Sequence, residues 1–419
     1  MKYIKYLFAI SLFASFVSCG DILDIYPDSA VSQSDVSEED VELLYVGLYN
    51  FSQYKPTFNG YLFNDVMGGD LTTGSGTTYD TPATMIKAYM LETGGLVTGP
   101  WDGYYTCLYQ VNTFISIVEK LEDTAEYREM LGGARFFRSL IYYYLVTHWR
   151  NVPLISVATT DPVASSPEAD VWAFIENDLE YAIENLPGFT DKYFVSSPAA
   201  VGLMARVKLA QDKMDEAAKY AEELITGTYF DLCSYNDLFR AATNNEEIFS
   251  FYNGIDENEI GFASYFYYQF VPTTTIQNLF TSSDNRSSTC IGNYDGTIVM
   301  SKYGDYEDSI YPKNIVRLGE MYLISAEAQG YPAGLIRLNE LRAFRGLGSV
   351  AVTGEDDFLN AVLEERRLEL YCDGFRWYDL VRTGKLTSTL NLDEKYTVCP
   401  IPNDELLLNP LLEQHELWK

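Results

Sequence analysis

The sequence predicts a mainly α fold, a scaffold of helical hairpins that carries large irregular insertions. Three observations support this class. Apolar residues recur at helical spacing in several long segments, most clearly in residues 101–121 and 124–148. Residues 59–99 and 230–311 instead show no clean helical period and are rich in Gly, Thr and other polar residues. With 419 residues, 47% of them hydrophobic, the chain can bury a sizeable core around such helices.

The N-terminus predicts an export signal. Lys2 and Lys5 precede an apolar run over residues 6–17, which is too short to span a bilayer because a spanning helix needs roughly 20 residues. The run ends in Phe-Val-Ser-Cys19, which resembles a bacterial lipobox with Phe in place of the usual Leu. We therefore predict a lipoprotein signal peptide over residues 1–18 and acylation, palmitate included, at Cys19. The alternatives are an ordinary signal peptide with an incidental Cys, or a buried N-terminal helix.

One domain is expected to follow the signal peptide. No later segment approaches the roughly 18 uninterrupted apolar residues of a membrane-spanning helix. Residues 19–36 contain Asp21, Asp24, Asp28 and Pro27, which favour a lipidated flexible tether. We place a single α domain over residues 37–419, with the helical scaffold at about 37–229 and 312–386, irregular insertions at about 59–99 and 230–311, and a closing tail at 387–419.

One pair of predicted helices has the character of a helical repeat. Residues 199–211 carry an apolar stripe, and residues 214–226 follow after a short turn with Ala217, Ala218 and Ala221 on the packing side. Two amphipathic helices of this length, with small residues at the contact, resemble a tetratricopeptide unit. A generic helical hairpin is the alternative. The predicted fold is thus mainly α, a tetratricopeptide-like helical-hairpin scaffold with large irregular loop insertions that form the ligand face.

Composition excludes several classes of function. Sixty acidic residues against 29 basic ones give a net charge of −31, which argues against nucleic acid because phosphate binding relies on Lys and Arg. Five cysteines follow Cys19, far apart and without a CxxC pair, and the chain has only two histidines. We therefore predict no metal site and no cofactor. Mostly buried free thiols are favoured over disulfides for Cys107, Cys233, Cys290, Cys372 and Cys399.

The C-terminal third carries the most specific motifs. Residues 365–370 are Glu-Arg-Arg-Leu-Glu-Leu, and residues 374–386 are Gly-Phe-Arg-Trp-Tyr-Asp-Leu-Val-Arg-Thr-Gly-Lys-Leu. Together they resemble the most recognisable segment of the SusD/RagB family (starch-utilisation-system D-like), which comprises outer-membrane nutrient-binding lipoproteins. Further segments agree with the family in the right order over nearly the whole chain: residues 19–24, 134–140, 284–286, 314–328, 400–405 and 409–410.

The side chains of the family motif favour a structural role. Arg366, Arg376 and Arg382 can bond buried carbonyls or carboxylates bidentately, and Glu364 can pair with Arg367 across one helical turn. We expect this motif to hold the fold, through Glu365, Arg366, Arg367, Gly374, Arg376, Trp377, Asp379 and Arg382.

Two segments depart from the family pattern. The family usually has Tyr-Gly-Asp before Val-Pro-Leu, whereas this chain has Trp149-Arg150-Asn151. The usual closing Gln-Asn-Pro-Gly is replaced by Gln414-His415-Glu416-Leu417. These departures bear on the identity of the ligand more than on the fold.

The resemblance implies a lipid-anchored protein on the outer surface of a Gram-negative, Bacteroidota-like cell. It implies non-catalytic binding of oligosaccharides and their delivery to a SusC-like TonB-dependent transporter. A peptide-binding member of the same family is the first alternative, and a surface glycosidase is the second. A scaffolding adaptor is a further class, which would show no saturable affinity for oligosaccharide or peptide.

Candidate ligand residues come from the irregular segments and the helix that begins near residue 101. Aromatic rings stack on the apolar faces of sugars, and polar side chains bond their hydroxyls in a preformed groove. Each candidate has a structural alternative: Trp101 can pack at a helix start, the run from Tyr265 can be a half-buried strand, and Asp65 and Asp70 can cap turns. The candidates are Asp65, Asp70, Tyr79, Trp101, Tyr265, Tyr267, Tyr268, Arg286 and Tyr294.

An enzyme is the less favoured class. A glycosidase needs two carboxylates at a set separation, and no motif fixes such a pair among 60 acidic residues. A serine or cysteine hydrolase would have to use His148 as its base, because His415 lies in the tail. The sequence also lacks a Gly-rich phosphate loop and metal-ligand spacing. We therefore predict no enzymatic activity and no catalytic residues.

Overall fold

The computed structural model describes residues 38–74, 79–240, 243–254, 259–261, 263–264, 267–304 and 312–419. The Cα positions divide the chain into two units, residues 1–43 and residues 44–419. Of the first unit only residues 38–43, the first residues of a helix, are described. The predicted signal peptide, Cys19, the tether and Tyr265 lie outside the described residues.

Helices make up 58% of the structure and strands 8%, which confirms the mainly α class. The helices of the described residues are α1 (Glu38–Tyr54), α2 (Thr57–Met67), α3 (Pro82–Tyr89), α4 (Gly95–Val118), α5 (Ala125–Trp149), α6 (Glu168–Asn185), α7 (Ser197–Ala210), α8 (Met214–Ile225), α9 (Tyr235–Arg240), α10 (Glu259–Gly261), α11 (Thr274–Leu279), α12 (Ser287–Cys290), α13 (Leu318–Gln329), α14 (Leu335–Phe344), α15 (Glu355–Glu369), α16 (Arg376–Arg382), α17 (Leu386–Leu390) and α18 (Asn403–Leu408), with 3-10 turns at Glu394–Thr397 and Glu416–Trp418.

The described strands are short and form separate two-stranded antiparallel sheets. The pairs are β1 (Leu71–Thr73) with β5 (Phe270–Pro272), β2 (Val152–Pro153) with β3 (Ser165–Ser166), β4 (Glu247–Phe251) with β8 (Lys313–Arg317), and β6 (Ile291–Tyr294) with β7 (Thr297–Met300). Three of these sheets contain strands from the second irregular segment, so that segment is a set of short paired elements.

The helical scaffold is built from sequential hairpins. Each helix from α4 to α7 packs against the next helix along the chain, and α8 also packs against α13. Small residues make the close approach possible: a Cβ at Gly202 in α7 would lie 2.4 Å from Cγ1 of Val316 in β8. Ala217 and Ala221 of α8 are fully buried, as the sequence predicted for this pair. The tetratricopeptide-like scaffold is therefore confirmed.

Two segments differ from the sequence-based expectation. Residues 59–99, predicted to be irregular, contain most of α2, strand β1, helix α3 and the start of α4. Helix α2 is buried on several sides, so its sequence lacks the one-sided apolar period of an amphipathic helix. The apolar pattern of residues 314–328 predicts one helix, but the segment begins as strand β8 because Val316 and its neighbours pair with β4.

Five fully or almost fully buried charged residues join the second irregular segment to the scaffold: Glu246, Arg286, Arg317, Arg345 and Glu369, hereafter the acid–base cluster. Arg345 Nη2 lies 2.7 Å from Glu246 Oε1, and Arg317 Nη1 lies 2.6 Å from Glu369 Oε1. Arg286 Nη1 lies 2.8 Å from Glu369 Oε2. Burial alone would raise the pKa of Glu369, but Arg345, Arg317 and Arg286 hold it well below its usual range. Glu369 is therefore ionised in the folded chain.

A second set of buried ion pairs connects α13, α15 and α16. Arg366 Nε lies 2.8 Å from Asp379 Oδ2, and Arg382 contacts both Asp379 at 2.8 Å and Glu327 at 2.5 Å. Despite burial, Arg366 and Arg382 lower the pKa of Asp379. Trp377, which is 0% exposed, donates its indole hydrogen to the carbonyl oxygen of Tyr396 at 3.1 Å.

The remaining residues of the family motif also lie within the protein interior or at its turns. Glu365 is buried and contacts Arg286 at 2.7 Å. Arg367 lies 2.5 Å from Asp70. Gly374 has a φ of +83°, a conformation that glycine adopts without steric cost, and burial lowers the pKa of Arg376.

The five described cysteines carry free thiols, and four of them are buried. Burial raises the pKa of Cys107, Cys233 and Cys290 to about 12. These side chains behave as small apolar groups in the core.

Candidate functional site

Five tyrosines form an accessible group next to the β1–β5 sheet: Tyr79, Tyr89, Tyr267, Tyr268 and Tyr294, hereafter the aromatic surface. The rings of Tyr79 and Tyr89 lie 5.9 Å apart, and those of Tyr268 and Tyr294 lie 6.0 Å apart. Tyr267 is 64% exposed, and the other four are half-buried. Four of these five tyrosines were predicted from the sequence as ligand residues.

The β1–β5 sheet brings the two halves of the aromatic surface together. Thr73 of β1 pairs with Phe270 of β5, whose ring lies 6.5 Å from that of Tyr89. The amide of Gly74 donates to the carbonyl oxygen of Gln269 at 3.2 Å. A Cβ at Gly74 would lie 2.2 Å from the carbonyl oxygen of Tyr268, so only glycine allows this crossing. Two tyrosine pairs that are distant in the chain therefore lie beside the same short sheet.

A tight hairpin positions Tyr294. Asp295 and Gly296 connect β6 to β7 with φ values of 46° and 83°, the left-handed pair of a type I′ turn. Asn293 Oδ1 accepts the amide hydrogen of Gly296 at 3.1 Å and closes the turn. The turn fixes the ring of Tyr294 and places the Asp295 carboxylate at the exposed tip.

The aromatic surface carries hydroxyl groups and little positive charge. Burial, together with Asp295 and Tyr294, raises the pKa of Tyr268, so its hydroxyl remains protonated and can donate or accept. Residues 79–89, 267–272 and 291–298 contain two exposed carboxylates, Asp80 and Asp295, and one exposed cation, Lys87. The arrangement suits a neutral ligand that has apolar faces and many hydroxyls.

Four predicted ligand residues need a correction, because the structure buries them away from the aromatic surface. Asp65, Asp70 and Arg286 are 0% exposed, and Trp101 is 1% exposed. Asp65 accepts the amide hydrogens of Cys372 at 2.9 Å and of Gly374 at 3.0 Å. Burial, with Asp70 next in effect, raises the pKa of Asp65. This carboxylate tethers α2 to the turn after α15.

The other buried candidates also have structural partners. Asp70 pairs with Arg367, as described above. Arg286 belongs to the acid–base cluster, and its Nη2 lies 2.8 Å from Asp284 Oδ2. The ring of Trp101 packs edge-on against Trp149 at 5.1 Å. Sequence reasoning missed Tyr89, which stands in α3 without a motif; only the fold reveals that it faces Phe270.

A groove beside α18 holds the carboxylates that a hydrolytic alternative would use. It has a volume of about 340 Å³ and is lined by Trp101, Asp102, Tyr105 and Glu405, among others. Burial, followed by Asp404, raises the pKa of Asp102. The pKa of Glu405 is also raised, mainly by burial, although Trp101 bonds its carboxylate.

His148 is held in the interior. It is 1% exposed, and its ring packs at a tilt against Phe63 with the ring centroids 4.5 Å apart. Burial lowers its pKa to about 3, so the imidazole is neutral at physiological pH. Within the described parts of the chain, no group of three or more His, Cys, Asp or Glu could hold a metal ion.

Family comparisons agree with these observations along most of the chain. Residues 21–209 match a family model described as starch-binding and associating with the outer membrane, and residues 267–397 match the model of the SusD family. The chain belongs to the SusD/RagB family. Together the two matches cover well over half of the chain, and the resemblance predicted from the sequence motifs is confirmed.

Individual relatives of the SusD/RagB family extend the comparison. A SusD-like protein, P38, of Formosa agariphila is 24% identical over 98% of both chains. A SusD-like protein of Bacteroides ovatus is 29% identical over 36% of this chain and 31% of its own.

Solved structures of the family share the fold. A SusD superfamily protein from Bacteroides thetaiotaomicron has a TM-score of 0.77 at 20% identity, covering 90% of this chain and 99% of its own. A laminarin-binding SusD-like protein has a TM-score of 0.78 at 22% identity, covering 91% and 99%. Each helix in the described ranges is too short or too polar to cross a bilayer.

Proposed function

We propose that this protein binds neutral glycans at the aromatic surface, without catalysis, and delivers them to a SusC-like TonB-dependent transporter. The observation that carries the proposal is the assembly of five tyrosines by the β1–β5 sheet and the Asp295–Gly296 turn. Sugar rings present apolar C–H faces to aromatic rings, and their hydroxyls bond phenol and carboxylate groups. A rigid tyrosine platform supplies both kinds of contact.

The charge of the protein supports a neutral glycan over an anionic one. Among the described residues, buried acidic and basic side chains are nearly equal in number, so burial removes little of the excess of acidic over basic residues behind the net charge of −31. Uronic or sulfated glycans would be repelled by this negative charge and by the carboxylates of Asp80 and Asp295. The structural similarity to a laminarin-binding SusD-like protein makes neutral glucans the first class to test.

Calorimetry with neutral and anionic oligosaccharides tests the binding site. We expect the double substitution of Tyr267→Ala and Tyr294→Ala to weaken binding of a neutral oligosaccharide by at least about tenfold, equivalent to roughly 1.4 kcal/mol. Tyr229→Ala is the matched control, because Tyr229 is 60% exposed and does not belong to the aromatic surface. Unchanged affinity in the double variant would show that the aromatic surface is not the binding site.

Incubation with the same oligosaccharides tests the absence of catalysis. We expect the oligosaccharides to remain intact after prolonged incubation. The glycosidase alternative predicts release of reducing ends, and the groove with Asp102 and Glu405 is where it would act. Release that disappears in Asp102→Asn and Glu405→Gln variants would establish that alternative.

Two further tests address partner and ligand class. Purification of this protein from detergent-solubilised native membranes should also recover a large transporter. Recovery of this protein without any transporter would count against the delivery role. A panel of short peptides tests the peptide-binding alternative, which predicts saturable peptide affinity that is lost with the aromatic surface. The location proposed is the outer cell surface, with Cys19 as the lipid anchor.

A further inference from the structure

A second concave site lies between the β2–β3 hairpin and the tail of the chain. This cavity, hereafter the tail pocket, has a volume of about 440 Å³, within the range of small-molecule sites. It shares no residue with the aromatic surface. Its lining includes the side chains of Trp149, Asn151, Ser165, Leu411, Glu413 and His415.

The tail pocket is lined by both segments in which this chain departs from the family pattern. Trp149 and Asn151 belong to the first departure, and Gln414, His415 and Glu416 belong to the second. The two segments lie more than 250 residues apart in the chain, yet they face the same space. The residues that distinguish this chain from the usual pattern therefore meet in one cavity.

Polar groups with unused hydrogen-bonding capacity line the tail pocket. The Ser165 hydroxyl oxygen is buried and has no hydrogen-bond partner. Asn151 Oδ1 accepts the amide hydrogen of Glu168 at 2.9 Å, which leaves the Asn151 amide nitrogen as a donor. His415 Nδ1 accepts the amide hydrogen of Leu417 at 3.2 Å. The neutral imidazole consequently carries its proton on Nε2 and can donate it.

The charges at the pocket favour a neutral ligand. Lys419 Nζ lies 2.6 Å from Glu416 and 3.4 Å from Glu413, so the one lysine of the lining is already paired with carboxylates. A ligand carboxylate would find no unpaired ammonium there, which disfavours amino acids and anionic sugars. Trp149, Ile401 and Leu411 provide the apolar part of the wall.

We propose that the tail pocket is a second saccharide site, which takes a neutral mono- or disaccharide. Hydroxyl groups would bond Ser165, Asn151 and His415, and the apolar face of a sugar ring would lie against the Trp149 side of the wall. The ligand class is that of the proposed function, but no residue is shared, so each site can fail independently of the other.

Histidine NMR tests the tail pocket directly, because the chain has two histidines and His148 is sealed in the core. Burial gives His148 a pKa of about 3, so His148 stays neutral above pH 5 and its resonances should not change there. We expect titration with maltose, cellobiose, laminaribiose or lactose to shift the His415 imidazole resonances to saturation. No shift with any of these disaccharides would overturn the proposal. A shift with amino acids or dipeptides instead would also overturn it.

A pair of alanine substitutions provides a matched control. Ala164 lines the tail pocket, and Ala169 lies five residues further on in α6; both are exposed. Ala164→Leu should fill the pocket and abolish the saccharide-induced shift of His415, whereas Ala169→Leu should leave it. Tyr294→Ala should also leave it, since Tyr294 belongs to the aromatic surface. A shift that survives Ala164→Leu would contradict the assignment.

Discussion

Removing a buried charged side chain should lower the stability of the protein more than removing an exposed one. In the acid–base cluster, each guanidinium faces at least one buried carboxylate, and all members are at most 2% exposed. Breaking such a pair leaves an uncompensated charge in a low-dielectric environment. Exposed pairs such as Arg128 with Asp123 remain hydrated when one partner is removed.

Arg345→Met should lower the free energy of unfolding by about 3–5 kcal/mol, because Glu246 and Glu369 lose a partner while they remain buried. The free energy of unfolding of Arg345→Lys should lie between those of Arg345→Met and the wild type, since lysine keeps the charge but lacks the planar set of guanidinium donors. Urea unfolding followed by circular dichroism measures both. The control Arg128→Met should change stability by less than about 1 kcal/mol, and equal losses in the two methionine variants would refute the distinction.

Lys313 is a buried basic residue that, unlike the arginines of the acid–base cluster, has no hydrogen-bonded carboxylate partner. Its Nζ has no hydrogen-bond partner, and it contacts the ring of Tyr61. Burial lowers its pKa well below the usual value, although Asp373, Glu259 and Asp65 act in the other direction. Because the folded-state pKa lies below the unfolded value near 10.4, the unfolded chain binds more protons between the two values, and stability rises with pH across that window.

Lys313→Met should therefore stabilise the protein at pH 7, by about 1–3 kcal/mol, because it removes an unbonded buried polar group. The gain should shrink as the pH rises toward the unfolded pKa near 10.4, because the unfolded lysine then loses its proton as well. Unfolding curves at pH 7 and pH 10 measure the difference. A variant less stable than the wild type at pH 7 would show that the ammonium has a favourable role.

At the scale of elements, the β6–β7 hairpin determines the position of Tyr294. Gly296 has a φ of +83°, and a Cβ added there would meet nothing within 4 Å. A substitution therefore acts through backbone strain alone, which amounts to roughly 1–2 kcal/mol for a residue with a side chain.

Gly296→Ala should loosen the hairpin and weaken glycan binding at the aromatic surface while the helical scaffold keeps its stability. Hydrogen exchange of the Ile298 and Val299 amides reports the hairpin, and calorimetry reports the binding. Gly348→Ala is the control, because Gly348 also has open space around it but no positive φ. Faster exchange in both variants would argue against a specific effect of the turn.

The helical hairpins could be predicted from the sequence because their pattern is local. The apolar stripe of α7 and the alanines of α8 report which side of each helix packs. Strand β8 could not be predicted, because Ile315 and Val316 are also compatible with a helix. Its partner β4 lies more than 60 residues away, and pairing at that distance leaves no local signal.

Sequence alone could identify candidate ligand residues only among side chains such as tyrosine, whose ring and hydroxyl suit a sugar wherever they are accessible. Exposed tyrosines of the irregular segments were identified from their position in the sequence. Asp65 and Arg286 were misassigned because acidic and basic residues are usually exposed. Their burial depends on distant partners, namely the amides of the 372–374 turn and the carboxylate of Glu369.

At the scale of the whole molecule, the proposed location depends on Cys19. Cys19→Ser should release the protein from the membrane fraction, because the acyl chains would have no thiol to attach to and stable anchoring needs more than one chain. Cell fractionation and palmitate labelling measure the change, with Cys107→Ser as control because Cys107 is buried and unbridged. Membrane retention of the Cys19→Ser protein would indicate attachment by another route.

The acid–base cluster also bears on how such a chain is made and exported. Its members emerge from the ribosome in the order Glu246, Arg286, Arg317, Arg345 and finally Glu369. Until Glu369 arrives, the cations that it neutralises cannot be buried without a large penalty. The centre of the molecule therefore cannot close before residue 369 has been synthesised. For the export that the signal peptide predicts, this order is favourable, because the late carboxylate postpones folding of the centre until most of the chain has been synthesised.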